Sequence, residues 1–183
     1  MAIKATIFKA ALNISDMDRH YYQEHALTLA RHPSETDERM MVRLLAFALH
    51  AREYLEFGEG MNDDAEADVW QKDLTGAIAL WIDVGIPDEN LIRKACGRAD
   101  AVLVYCYGGR VAELWFEKNK AQFARQKNLT IINLPVETTR NLAKLAQRTM
   151  GLQCTIQDGQ VWFSDDRENV EVTRQIWYAP QSH

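Results

Sequence analysis

Two aspartates, Asp68 and Asp83, stand near the two ends of ADVWQKDLTGAIALWIDVG (67–85), each with a tryptophan two residues inside it, Trp70 and Trp81. The stretch reads as a β-hairpin turning at Thr75-Gly76, which sets Asp68 opposite Asp83 and Trp70 opposite Trp81. Side chains alternate along a strand, so Asp68, Trp70 and Lys72 share one face with Asp83, Trp81 and Ala79, and Val69, Gln71, Leu80 and Ile82 take the other. An odd loop or a bulge would break this pairing. Opposed strand residues hold their Cβ atoms about 4.5–5.5 Å apart, where like charges repel. A hard divalent cation offsets that repulsion, because carboxylate oxygens are its preferred ligands; a buried Arg or Lys, or a raised pKa on one partner, would serve as well.

Two further side chains extend the set. Glu38 lies three residues before Met41 and seven before Leu45, which places it on the apolar stripe of the first expected helix, where a carboxylate needs a partner. Lys94 falls at the edge of the core face of the helix after Asp83, from where a point charge can swing toward the strand ends to serve a phosphate or an attacking water. Other reactive residues form no such set. The histidines at 20, 25, 32, 50 and 183 show no HxH or HExxH spacing, and His32 beside Pro33 reads as structural. Cys96, Cys106 and Cys154 make neither a CxxC knuckle nor a disulfide framework and read as buried reduced thiols. Gly108-Gly109-Arg110 lacks a phosphate-loop pattern and reads as a strand-to-helix turn, and Asp165-Asp166 as a solvated hairpin turn.

The positioning elements follow from periodicity. Ala5 to Ile14 and Ala26 to Leu29 alternate as two opening strands joined by a polar stretch. Ser34 then reads as the N-cap of a helix, with Asp37 reaching back, and Met41, Leu44, Leu45, Ala48 and Leu55 form its stripe. After the acidic EFGEGMNDDAEA loop and the hairpin, Pro87 opens a helix with Asp88 and Glu89 in its first turn and Leu91, Ile92, Ala95 and Ala99 on its core face. AVLVYCY (101–107) and LTIINL (129–134) are nearly continuous apolar runs, as in strands buried on both faces, and each precedes a helical pattern, GGRVAELWFEKNKAQFAR and VETTRNLAKLAQRTM. This β-α-β-α order predicts a parallel core. The tail, CTIQ, QVWF and VEVTRQIWY about an Asp158-Gly159 turn, predicts three antiparallel strands.

With 183 residues, 47% of them apolar, the chain suits a single domain over 1–183. The absence of an apolar leader or a long apolar run predicts a soluble, cytoplasmic protein without membrane association. The formal net charge of -5 hides a partition: residues 93–148 hold 11 Lys and Arg against 4 Asp and Glu, whereas residues 1–92 hold 8 against 17. The basic block reads either as solvated helix faces, through Arg110, Lys118, Lys120, Arg125 and Lys127, or as a surface for a polyanion.

An acid on a first helix, one on a hairpin strand, another at the end of the next strand and then a helix: this order resembles the PD-(D/E)xK nuclease superfamily. KATIFKA (4–10), LARHPSETDERMM (29–41), LWIDVGIPDE (80–89), KACGRAD (94–100) and TIQDGQVWFSDD (155–166) resemble the YaeQ family within it, over nearly the whole length. The resemblance implies a restriction-endonuclease-like α/β fold, a mixed sheet core flanked by helices with added antiparallel strands from both termini. It also implies a divalent-metal-dependent phosphodiester hydrolase. Ala67-Asp68 occupies the PD step, Asp83-Val84-Gly85 the (D/E)xK step, and Glu38 the helical acid. Asp68 and Asp83 would then hold Mg²⁺ or Mn²⁺, Glu38 would orient water, Lys94 would replace the lysine missing at Gly85, and segment 93–148 would guide a nucleic-acid backbone. Lys72 is a poorer substitute, about 13 Å from Asp68 along the strand at ~3.3 Å per residue. The alternative is a catalytically degenerate nuclease fold that binds nucleic acid or protein.

Overall fold

The structure, a computed structural model, describes residues 4–59 and 65–180, so the middle of the expected acidic loop lies outside the described residues. It is mixed α/β and divides into two compact units, Met1–Ala48 with Glu137–Thr173 and Leu49–Val136 with Arg174–His183.

In the first unit, β1 (Thr6–Asp16) and β2 (Tyr21–Arg31) form the expected opening hairpin, and β8 (Thr149–Gln157), β9 (Gln160–Ser164) and β10 (Asn169–Val172) complete a sheet of order β10-β9-β8-β1-β2. The Asp158-Gly159 turn joins β8 to β9 with both residues at positive φ, as a two-residue hairpin requires. β8 also pairs with β1, in parallel, because Met150, Leu152, Cys154 and Ile156 bury on the same face as Ala10, Leu12, Ile14 and Asp16. The tail is therefore not purely antiparallel. Its last expected strand is two: β10 stays in this sheet, and β11 (Gln175–Tyr178) belongs to the second.

Helix α1 (Asp37–His50) packs on the inner face, with His25 edge-on to Phe47 at 5.2 Å. Residues 40–49 are all buried, so its apolar surface is wider than a stripe. Its cap is Thr36, whose hydroxyl accepts the Arg39 N–H at 3.0 Å, and not Ser34, whose hydroxyl is held by His32 Nδ1 at 2.7 Å. Leu55 lies beyond the helix, in β3 (Leu55–Phe57), after a turn with Tyr54 at φ 67. Helix α4 (Val136–Ala143) ends earlier than its sequence pattern suggests, since Thr149 and Met150 already belong to β8.

The second unit carries a sheet of order β11-β7-β6-β5-β4-β3. The expected parallel core is present: β5 (Ile78–Val84), β6 (Ala99–Cys106) and β7 (Leu129–Asn133) run parallel, with β4 (Val69–Lys72) antiparallel to β5. Helices α2 (Glu89–Arg98) and α3 (Arg110–Phe123) cover one face through Ile92, Ala95, Phe116 and Phe123, packed with Trp70, Trp81, Val102 and Val104. Asp88 caps α2, its side chain accepting the Asn90 N–H at 2.8 Å, and Ala99 begins β6 instead of extending the helix face. No described helix is long and apolar enough to cross a membrane.

Candidate functional site

The hairpin does not turn on two residues. Asp73 N–H donates to Ala77 O at 2.9 Å, leaving Leu74, Thr75 and Gly76 as a three-residue loop, with Gly76 at φ 88. Asp73 Oδ1 holds this loop by accepting from Thr75 N–H, the Thr75 hydroxyl and Ala77 N–H, and these bonds keep its pKa below the ordinary value. An odd loop pairs Lys72 with Ile78, and a bulge at Ala79 then restores the alternation, so Gln71 faces Leu80, Trp70 faces Trp81 and Val69 faces Ile82. Two departures, each able to break the register, cancel.

One step beyond that ladder, Asp68 meets Asp83. The two carboxylates are 4% and 9% exposed. Asp68 N–H donates to Asp83 Oδ1 at 3.3 Å, and Val84 N–H donates to Asp68 Oδ2 at 2.9 Å. The Trp81 indole N–H donates to Asp83 Oδ2 at 2.9 Å, and the Trp81 ring meets Trp70 edge-on at 5.6 Å. These donors are backbone amides and an indole, all neutral. They orient the pair and satisfy part of its acceptor capacity.

Of the four predicted site residues, the structure brings Asp68 and Asp83 together. Glu38 lies in the first unit, half-buried in the first turn of α1 and outside the fully buried span. Lys94 is exposed on α2, whose buried side is Ile92 and Ala95. Among the described residues, no three His, Cys, Asp or Glu side chains group closely enough to hold a metal ion. Gly85 explains the missing strand lysine: β5 stops at Val84 and the chain turns at φ +93, a conformation that side-chain-bearing residues rarely adopt. Lys72 Nζ sits 4.2 Å over the Trp70 ring and does not reach toward the pair. Gln71, on the other face, donates to Glu53 O at 3.2 Å.

Two arrangements were missed in the sequence. Glu35, buried, accepts from Arg39 at 2.6 Å and from Arg43 at 2.7 and 2.9 Å; the spacing of 35, 39 and 43 was the available signal. His50 Nε2 lies 2.6 Å from the Tyr105 hydroxyl, across 55 residues of chain that offer no local cue. Burial drives the Tyr105 phenol far above its ordinary pKa, with Arg174 opposing the shift. Burial also pushes the Cys96 thiol up to about 11 and Cys106 up to about 12, which disfavours thiolate chemistry at either. Arg110, Lys118, Lys120, Arg125 and Lys127 are all exposed.

Comparison with known proteins places this geometry in a family. The model for the YaeQ protein family matches residues 1–174. The YaeQ protein of Escherichia coli strain K12 is 45% identical over 180 residues, covering 98% of this chain and 99% of that protein. The crystal structure of YaeQ from Xanthomonas axonopodis pv. citri superposes with a TM-score of 0.91 at 50% identity, covering 96% of this chain and 99% of that one. YaeQ from Pseudomonas syringae superposes at 0.90 with 37% identity, covering 96% and 97%. The chain belongs to the YaeQ family.

Proposed function

We propose that Asp68 and Asp83 hold a divalent cation, Mg²⁺ or Mn²⁺, in a restriction-endonuclease-like site of variant PD-(D/E)xK type, and that the protein hydrolyses phosphodiesters. The observation that carries this reading is the register of β4 and β5, which sets two buried carboxylates side by side. The donor set fits the ion: hard oxygen ligands, two of them anionic, leaving positions for water and phosphate. The bound cation would supply Lewis-acid polarisation of a phosphate. The chain's own residues would do the rest. Val84 N–H and the Trp81 indole keep the carboxylates aimed, and Lys94 on α2 is the proposed positive charge. The exposed cations of segment 93–148 would track a nucleic-acid backbone.

A second reading rests on Gly85. With no lysine on β5, and with the positive φ that opposes one there, the same site would bind a cation and a nucleic acid or protein partner without turnover. Incubation with single-stranded, duplex and branched nucleic acids in Mn²⁺ separates the two. Cleavage lost in both Asp68→Ala and Asp83→Ala supports the hydrolase. Binding of any of these without cleavage leaves the second reading, and cleavage that survives both substitutions contradicts the first.

A further inference from the structure

The outer face of the first unit's sheet is a polar platform with an aromatic at each side. Its inner residues are buried, so alternation turns their neighbours outward. One row crosses four adjacent strands: Trp162 pairs with Thr155, Thr155 with Ser15, and Ser15 with Tyr22. The next row runs beside it: Asn169 pairs with Ser164, Ser164 with Gln153, and Gln153 with Asn13. Gln153 Nε2 donates to Ser15 Oγ at 3.3 Å and ties the rows together. From Trp162 to Tyr22 the platform spans about 14 Å at the usual ~4.8 Å per strand. Tyr22 is 61% exposed, and at the Trp162 end a depression of about 380 Å³ is lined by Trp162, Thr155, Ser164, Asn169 and Asp165.

A solvated sheet face is ordinary, but its chemistry here is selective. Amides and hydroxyls both donate and accept, which suits a ligand whose own groups do both. An indole offers a flat apolar surface for the C–H face of a sugar ring. Of the outward residues on these five strands only Lys9, Glu24 and Glu171 are charged, and Asp165 at the depression is paired with Arg167 at 3.4 Å. The face therefore carries little net charge, so it offers a polyanion no electrostatic attraction and suits an uncharged polyhydroxyl chain better. We propose that this face binds a neutral oligosaccharide, with one ring stacked on Trp162 and others along the Thr155 and Gln153 rows. The site lies within the first unit and is independent of the Asp68–Asp83 pair.

The test is a titration of the ¹⁵N-labelled full chain with cellohexaose, maltohexaose, xylohexaose and chitohexaose, following the indole N–H signals. The Trp162 signal is assigned by its loss in Trp162→Phe. At least one sugar should shift it saturably, with binding weakened about tenfold or more by Trp162→Ala and by Gln153→Ala. Gln153 and Asn13 are outward polar positions, so Gln153→Ala and Asn13→Ala keep the test valid should Trp162→Ala not fold. No saturable shift with any of the four sugars overturns the proposal. So does a shift indifferent to Gln153→Ala and Asn13→Ala, or displacement of the sugar by oligouridylate.

Discussion

The two units handle buried carboxylates in opposite ways. In the first, Glu35 is enclosed with two guanidiniums, Arg39 and Arg43, which hold its charge locally. In the second, Asp68 and Asp83 are set against each other and held by two backbone amides and an indole. Charge-assisted bonds to arginine both fix and neutralise an acid, whereas bonds to neutral donors only fix it. The first arrangement pairs its acid with charge; the three bonds at the second fix its acids without supplying any. That contrast distinguishes a structural ion cluster from a candidate site better than burial does, since all three acids are buried.

Breaking the first arrangement should cost most. Arg43→Ala leaves Glu35 short of a buried counter-ion and should lower stability by about 3–5 kcal/mol in urea unfolding. Replacing both partners, Arg43→Met with Glu35→Leu, should recover most of that loss. A smaller effect is expected in the second unit. Asp83→Ala leaves the Trp81 indole and the Asp68 amide without that acceptor and should cost about 1–3 kcal/mol by the same measurement. Asp68→Asn removes one of two opposed charges, so in metal-free buffer it should cost less than about 1 kcal/mol or stabilise. If Asp68→Asn instead matches the loss in Arg43→Ala, the pair is as self-contained as the Glu35 cluster and the contrast fails.

Two smaller predictions sharpen it. Burial at Cys106 disfavours the thiolate there, raising its pKa from 9.0 to about 12. The unfolded thiol ionises first, so its contribution is fully present below pH 9, and stability should decline as pH rises from there toward 12. Cys106→Ala should flatten part of that decline in urea midpoints measured between pH 8 and about 11, and Tyr105, raised in the same direction from 10.0, should add to it only above about pH 10. Lys72→Ala, which removes the cation over the Trp70 ring, should cost about 0.5–1 kcal/mol and leave any cation binding unchanged.

Much of the second unit was legible before the structure, because the cues were local. Period-2 alternation in VWQK and IALWIDV defines the faces of β4 and β5, and the apolar runs at 101–107 and 129–134 announce buried parallel strands. The Asp68–Asp83 encounter was readable for the same reason, although the turn was not: Leu74 and the bulge at Ala79 offset each other without a trace in the periodicity. What escaped was non-local. The parallel pairing of β8 with β1 joins residues 149–156 to residues 9–16, and nothing near either strand specifies the partner. The VEVTRQIWY segment looks continuous yet serves two sheets, a choice made by packing. Glu38 and Lys94 were placed by helical phase alone, which gives a side of a helix but not what faces it.

Cation binding at the Asp68–Asp83 pair, the proposal on which the hydrolase reading depends, is tested most directly by calorimetric titration of the full chain with Mn²⁺. The prediction is a saturable heat in the parent, lost in both Asp68→Ala and Asp83→Ala and retained in the Arg43→Met, Glu35→Leu double variant. An absence of metal-dependent heat in the parent, or a heat that survives both aspartate substitutions, would contradict it.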